Sequence, residues 1–130
     1  DHLNRIQLAD LFLDTSPFNA HTTASDALRM GLPILTCIGE SFVSRVAASL
    51  LKAVNLPELI VANHDEYEEL AIHFGRNTQE LKVIKEKLLK NIENEALFNT
   101  PLYTRNIENA YIQMYKNYHK GFQPIEIVIN

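Results

Sequence analysis

Residues 8–38 read LADLFLDTSPFNAHTTASDALRMGLPILTCI, and the fold class turns on how this run divides. Leu8 to Asp14 is a short apolar stretch closed by an acid, the composition of a buried strand. Thr15 to Ala20 holds Ser-Pro-Phe-Asn, a cluster of turn formers. From His21 to Met30 the residues favour a helix. Gly31 and Pro33 stand where a helix stop and the position after it are expected. Pro33 to Ile38 is again apolar and β-branched and reads as a second strand, with Gly39-Glu40 as the turn that follows.

The same alternation continues outward. Ser41 is positioned to cap a helix running to about Val54, with Val43, Val46, Ala47, Leu50 and Leu51 at helical spacing. Asn55 and Pro57 end it, and Leu59 to Ala62 reads as a third strand. Strands separated by helices imply parallel pairing through right-handed crossovers. Beyond this the chain turns helical. Tyr67, Leu70, Ala71 and Phe74 share one face ahead of Gly75, and Asn77-Thr78-Gln79-Glu80 is a capping-box pattern opening a helix to about Asn94. Thr100-Pro101 reads as an N-cap with Pro at the first helical position, and Ile107, Tyr111, Met114 and Tyr118 form a stripe expected to pack into a core. The tail from Pro124 is apolar and short, suited to docking on a neighbouring surface.

The expectation is one α/β domain, with a β/α nucleotide-binding part over about residues 1–62 and a helical part over about 63–122. Three strands make a small parallel sheet, which normally has both faces covered. A chain opening at Asp1 without Met, almost directly on a strand-like segment, reads as an excised fragment, with further strands expected ahead of it.

Composition narrows the function. With 46% apolar and 22% charged residues and a net charge of −4, nothing favours nucleic acid or an anionic membrane as a partner. No long apolar span or secretory leader is present. The lone cysteine, Cys37, lies in an apolar run, reads as a small core residue, and fits a reducing compartment such as the cytoplasm. His64, His73 and His119 lack metal-ligand spacing and read as surface or packing residues.

Ligands of open α/β sheets bind beyond the carboxyl ends of the strands. The loop after Asp14 and the start of the next helix lie at that edge. Free N–H groups and the helix dipole there suit a phosphate. His21, Thr22 and Thr23 add side-chain donors, and Asp26, one turn after Thr22, is placed to accept from ribose hydroxyls. A plainer reading stands beside this one: Thr22 or Thr23 caps the helix and Asp26 is a solvated acid. Glu40 and Arg45, after the second strand, either line the same cleft or form a structural pair or cap. Gly-x-Gly-x-x-Gly and Walker patterns are missing, which leaves classical dinucleotide and P-loop readings without support.

The run Gln7-Leu8-Ala9-Asp10, Leu13-Asp14-Thr15, Asn19-Ala20-His21-Thr22-Thr23 resembles the catalytic region of O-linked N-acetylglucosamine transferases and their SPINDLY-like bacterial relatives. The likeness continues through Asp26-Ala27-Leu28, Gly31-Leu32-Pro33, Gly39-Glu40, Ser44 to Ser49, Leu56 to Ile60, Leu97 to Thr100, and Tyr111 with Met114. It spans the chain in order.

The resemblance implies a GT-B enzyme of two Rossmann-like lobes, of which this chain is the final part of the C-terminal lobe. It implies transfer of GlcNAc from UDP-GlcNAc to Ser or Thr of proteins without a metal or other cofactor. By position, His2 matches the family histidine that packs on uracil. Thr22 and Thr23 match the threonines at the diphosphate with His21 beside them, and Asp26 the acid at the ribose. Implied partners are the N-terminal catalytic lobe, tetratricopeptide repeats and protein acceptors. Arg29 stands where relatives carry Trp, and Ile38 where they carry Pro. Catalytic groups of the other lobe and an upstream donor-binding lysine have no counterpart here, so no catalytic residue is assigned. Two other classes remain: a nucleotide-binding or interaction domain without catalysis, and a UDP-sugar epimerase of similar lobe architecture, against which the His-Thr-Thr and Ser-Arg-Val-Ala-Ala-Ser runs speak.

Overall fold

The computed structural model describes residues 2–129. Three short parallel strands, β1 (Phe12–Leu13), β2 (Ile34–Cys37) and β3 (Ile60–Val61), lie in the order β1-β2-β3. Six helices accompany them: α1 (His2–Ile6), α2 (Thr22–Arg29), α3 (Val46–Ala53), α4 (His64–Arg76), α5 (Thr78–Asn94) and α6 (Thr100–His119). The expected β-α-β-α-β order and parallel pairing are present.

Side chains alternate along a strand, so β2 feeds two layers. Ile34 joins a core with Leu28 of α2, Leu51 of α3, and Leu81, Ile84 and Leu88 of α5. Leu35 and Cys37 turn the other way and, with Val61, meet Tyr67, Leu70 and Ala71 of α4. All four residues of β2 are buried, as a central parallel strand covered on both faces requires. Each fully buried Leu contributes about 1.5–3 kcal/mol, so this double covering, rather than the few ladder hydrogen bonds, holds the sheet together.

The helix ends follow local chemistry. At the end of α2, Leu32 N–H reaches Ala27 O and Gly31 N–H reaches Leu28 O, a Schellman motif with Gly31 at φ +78. The end of α3 repeats it with Asn55 at φ 55, and the Asn91 amide of α5 donates to Val54 O at 2.8 Å. Asn63 caps α4 by accepting Glu66 N–H, while the Glu66 carboxylate accepts Ala62 N–H.

Several expectations need correction. The strand expected over residues 8–14 is only two residues long: Phe12 and Leu13 pair with β2, and Leu8 is 84% exposed. Residues 2–6, ahead of that segment, form α1. The helix expected from Ser41 breaks into a 3-10 turn (Phe42–Ser44) before α3, because Ser44 O accepts Gly39 N–H and folds that loop on itself. The helix that carries Tyr67 to Phe74, expected to stop at Gly75, runs one residue past it to Arg76. The capping box at Asn77 does not form: its amide donates to His73 O, and Glu80 pairs with His73 at 2.6 Å. Asn99, not Thr100, caps α6. The α6 stripe does not pack into a core: Tyr111, Met114 and Tyr118 are 63%, 53% and 79% exposed. The tail instead runs beside α6, and Met114, Tyr118, Phe122 and Ile125 line a groove of about 530 Å³ between them. Among the described residues no helix is long and apolar enough to cross a membrane.

Candidate functional site

The carboxyl edge of the sheet is organised by a buried acid. In the β1–β2 register Phe12 faces Ile34 and Leu13 faces Leu35, so the next residues, Asp14 and Thr36, fall opposite each other on one face. The Thr36 hydroxyl donates to Asp14 Oδ2 at 2.6 Å, and Thr36 is fully buried. Asp14, 7% exposed, accepts two backbone N–H groups on Oδ1, from Thr15 at 2.9 Å and Ala20 at 2.7 Å. One carboxylate thus ties the first and last residues of the loop 15–20 together. From α4, the Tyr67 hydroxyl donates to Asp14 O at 2.8 Å.

Asn19 locks the same loop. It is 1% exposed, its amide donates to Thr15 O, and its N–H bonds Val43 O, which joins the loop to the segment after β2. Its Oδ1 is buried without a partner among the described residues. Thr15 adds a hydroxyl bond to Phe18 O at 2.6 Å.

The loop delivers the chain to α2. His21 is the N-cap residue, with no side-chain cap bond, and its ring stacks on Phe18 with centroids 5.1 Å apart and meets Phe42 edge-on at 6.2 Å. Thr22 and Thr23 are the first two helical residues and are exposed. Neither hydroxyl caps the helix, because the capping position belongs to His21. Ser25 N–H makes the first helical bond, to His21 O, so the N–H groups of Thr22, Thr23 and Ala24 precede the ladder and have no protein acceptor among the described residues. Asp26, half-buried, follows one turn later.

The structure therefore brings His21, Thr22, Thr23 and Asp26 together at one helix start. His2 stands apart, exposed on α1, which abuts α2. Glu40 and Arg45 are both exposed and form no ion pair among the described residues, which removes the structural-pair alternative; Arg45 is the residue at which α3 begins. Arg29 is exposed at the far end of α2, away from the helix start.

Three residues that matter here had drawn no functional reading from the sequence: Asp14, Thr36 and Tyr67. The available signal was an acid closing an apolar run directly before a turn cluster, since such an acid can take up loop N–H groups. Burial raises the Tyr67 phenol above its ordinary value of 10.0, helped by the charges of Asp14 and Cys37. Cys37, buried as expected, is also raised, first by burial and then by the Glu66 carboxylate.

The sequence profile of glycosyl transferase family 41 matches residues 1–107. Over its full length the chain is 37% identical to the UDP-N-acetylglucosamine--peptide N-acetylglucosaminyltransferase of Caenorhabditis elegans, of which it spans 11%. It is 36% identical, over 95% of its length, to the SPINDLY protein of Solanum lycopersicum, named as a probable enzyme of that kind, of which it spans 13%. Among solved structures, a mutant O-GlcNAc transferase of Thermobaculum terrenum matches 90% of the chain with a TM-score of 0.83 and 31% identity, and the chain covers 22% of it.

Proposed function

The chain belongs to glycosyl transferase family 41, and we propose from it that these residues bind the UDP of a UDP-GlcNAc donor within a protein O-GlcNAc transferase. The observation that carries the reading is the start of α2, where three N–H groups and the exposed Thr22 and Thr23 stand uncommitted at the carboxyl edge of a parallel sheet. In transfer, negative charge grows on the departing diphosphate. The helix dipole and the two hydroxyls stabilise it where it develops, so this helix end serves in place of a resident metal. Asp26 accepts from the ribose hydroxyls, His21 flanks the phosphates, and His2 packs against the uracil.

The remaining parts of the reaction belong to sequence outside this chain: an N-terminal lobe with the catalytic groups, and tetratricopeptide repeats that present Ser or Thr of cytoplasmic proteins. On this reading the 130-residue chain binds UDP without turning over a donor.

Titration with UDP to millimolar concentration, followed by amide NMR shifts, tests the binding. Shifts should centre on residues 19–26 and persist in EDTA. A folded chain that shows none refutes the reading. The double change Thr22→Ala, Thr23→Ala should abolish the response at nearly unchanged melting temperature, because neither hydroxyl bonds to the protein; unfolding would instead assign the threonines a structural role.

A further inference from the structure

A buried carboxylate, Asp14, lies behind the helix start and touches none of the residues assigned to UDP. We propose that Asp14 is the positioning residue of the cradle: it sets the angle at which residues 20–23 enter α2 and so holds Thr22 and Thr23 in register with a bound diphosphate. The proposal rests on the assignment of Thr22 and Thr23 to UDP and deepens it.

Four hydrogen bonds converge on this one residue from three parts of the fold. Ala20 N–H, two residues before Thr22, and Thr15 N–H reach Oδ1; Thr36 of β2 reaches Oδ2; Tyr67 of α4 reaches the main-chain oxygen. Asp14 is 7% exposed and forms no ion pair among the described residues, so its charge is met by the three donors on Oδ1 and Oδ2. A group so enclosed does not touch a ligand, and it positions one through the backbone it holds. The backbone it holds is the last bond of the loop before His21, whose own side chain does not cap the helix.

Charge and position make opposite demands, which gives a clean test. A carboxylate near an anion site repels the anion, so its removal should tighten UDP binding if charge were all that mattered. Asp14→Asn keeps an oxygen for the two N–H groups, and its amide can donate to a Thr36 hydroxyl that turns to accept. The fold survives, but bonds that were charge-assisted become neutral and about half as strong. The expected result is UDP affinity weakened about threefold to tenfold. The titration is made on the 130-residue chain far below each variant's melting temperature, where a merely structural residue would lower the melting temperature and leave the dissociation constant alone.

Tyr67→Phe supplies the second variant, since it keeps the ring in its packing and frees only the Asp14 carbonyl; it should weaken UDP about twofold to fivefold. Wild-type affinity or tighter in a folded Asp14→Asn overturns the proposal, as does unchanged affinity in Tyr67→Phe should Asp14→Asn fail to fold. Both results leave the UDP assignment standing when Thr22→Ala, Thr23→Ala still abolishes the response. A wild-type chain that ignores UDP overturns assignment and proposal together.

Discussion

Replacing Thr36 by Val isolates the bond that closes the Asp14 network. Val matches Thr in shape, so the change removes a hydroxyl and leaves the packing of β2. Thr36 is fully buried, and it is the one group among the described residues that donates to Asp14 Oδ2. After the change that oxygen is buried and unpaired. Hydrogen bonds to charged groups contribute about 1.5–3 kcal/mol, and the extra methyl returns part of that, for a net loss of about 2 kcal/mol. Thr36→Ser is the matched control: it keeps the hydroxyl, deletes one buried methyl and should cost about 1 kcal/mol. For a 130-residue chain 1 kcal/mol moves the melting temperature by about 4 °C, so the two variants should fall by about 8 and 4 °C. Urea unfolding followed by circular dichroism gives the same order with unchanged m-values. The reasoning fails if Val is as stable as wild type, or if Ser costs as much as Val, since packing rather than the hydroxyl would then be at stake.

Gly31→Ala should destabilise by about 1–2 kcal/mol, because φ there is +78 and an added Cβ would lie 2.7 Å from Leu89 Cδ2, the mobile end of an exposed side chain; a smaller loss in urea unfolding would show that the α2 end relaxes. Cys37 is raised above its ordinary value of 9.0 in the folded state, so its contribution to stability is complete below pH 9 and is lost as the pH climbs through the folded value. Cys37→Ala should therefore flatten the fall in melting temperature above pH 9, and an unaltered slope would refute that assignment. Met114→Ala and Tyr118→Ser, on the exposed face of α6, should each change stability by less than about 0.5 kcal/mol, and a larger loss by thermal melting would mean that this face is packed in solution.

The elements that could be read from sequence are those whose signal is local. Gly31 and Pro33 mark the end of α2 because a left-handed residue and a residue without an N–H each have one place there. The stripe on α4 is legible because Phe74 and its neighbours meet a sheet that the same sequence supplies. The α6 stripe has the same spacing but meets only the short tail, which leaves Tyr111, Met114 and Tyr118 more than half exposed, and periodicity alone cannot tell the two apart. The capping box at Asn77 failed because His73, one turn back, competes for both Asn77 and Glu80. In the site, the helix start was visible from the turn cluster and the threonines. The role of Asp14 was hidden because it depends on strand register, which pairs it with a residue 22 positions away.

A buried carboxylate just behind a helix end proposed to hold a diphosphate presents a conflict of charge. The division of donors resolves it. Asp14 takes the N–H of Thr15 and Ala20, which lie before the helix, and leaves those of Thr22, Thr23 and Ala24 without a protein acceptor among the described residues. The acid is thereby solvated by loop N–H groups and the Thr36 hydroxyl, while the first N–H groups of the helix stay free. Asp26 then sets the other limit. It lies four residues after Thr22, about 6 Å further along the helix axis, one turn beyond the free N–H groups. On the proposed reading Asp14 is closed off from the ligand and Asp26 is half-exposed, so a ligand must carry its charge at the helix start and its hydroxyls one turn on. A nucleoside diphosphate has that arrangement and free phosphate does not.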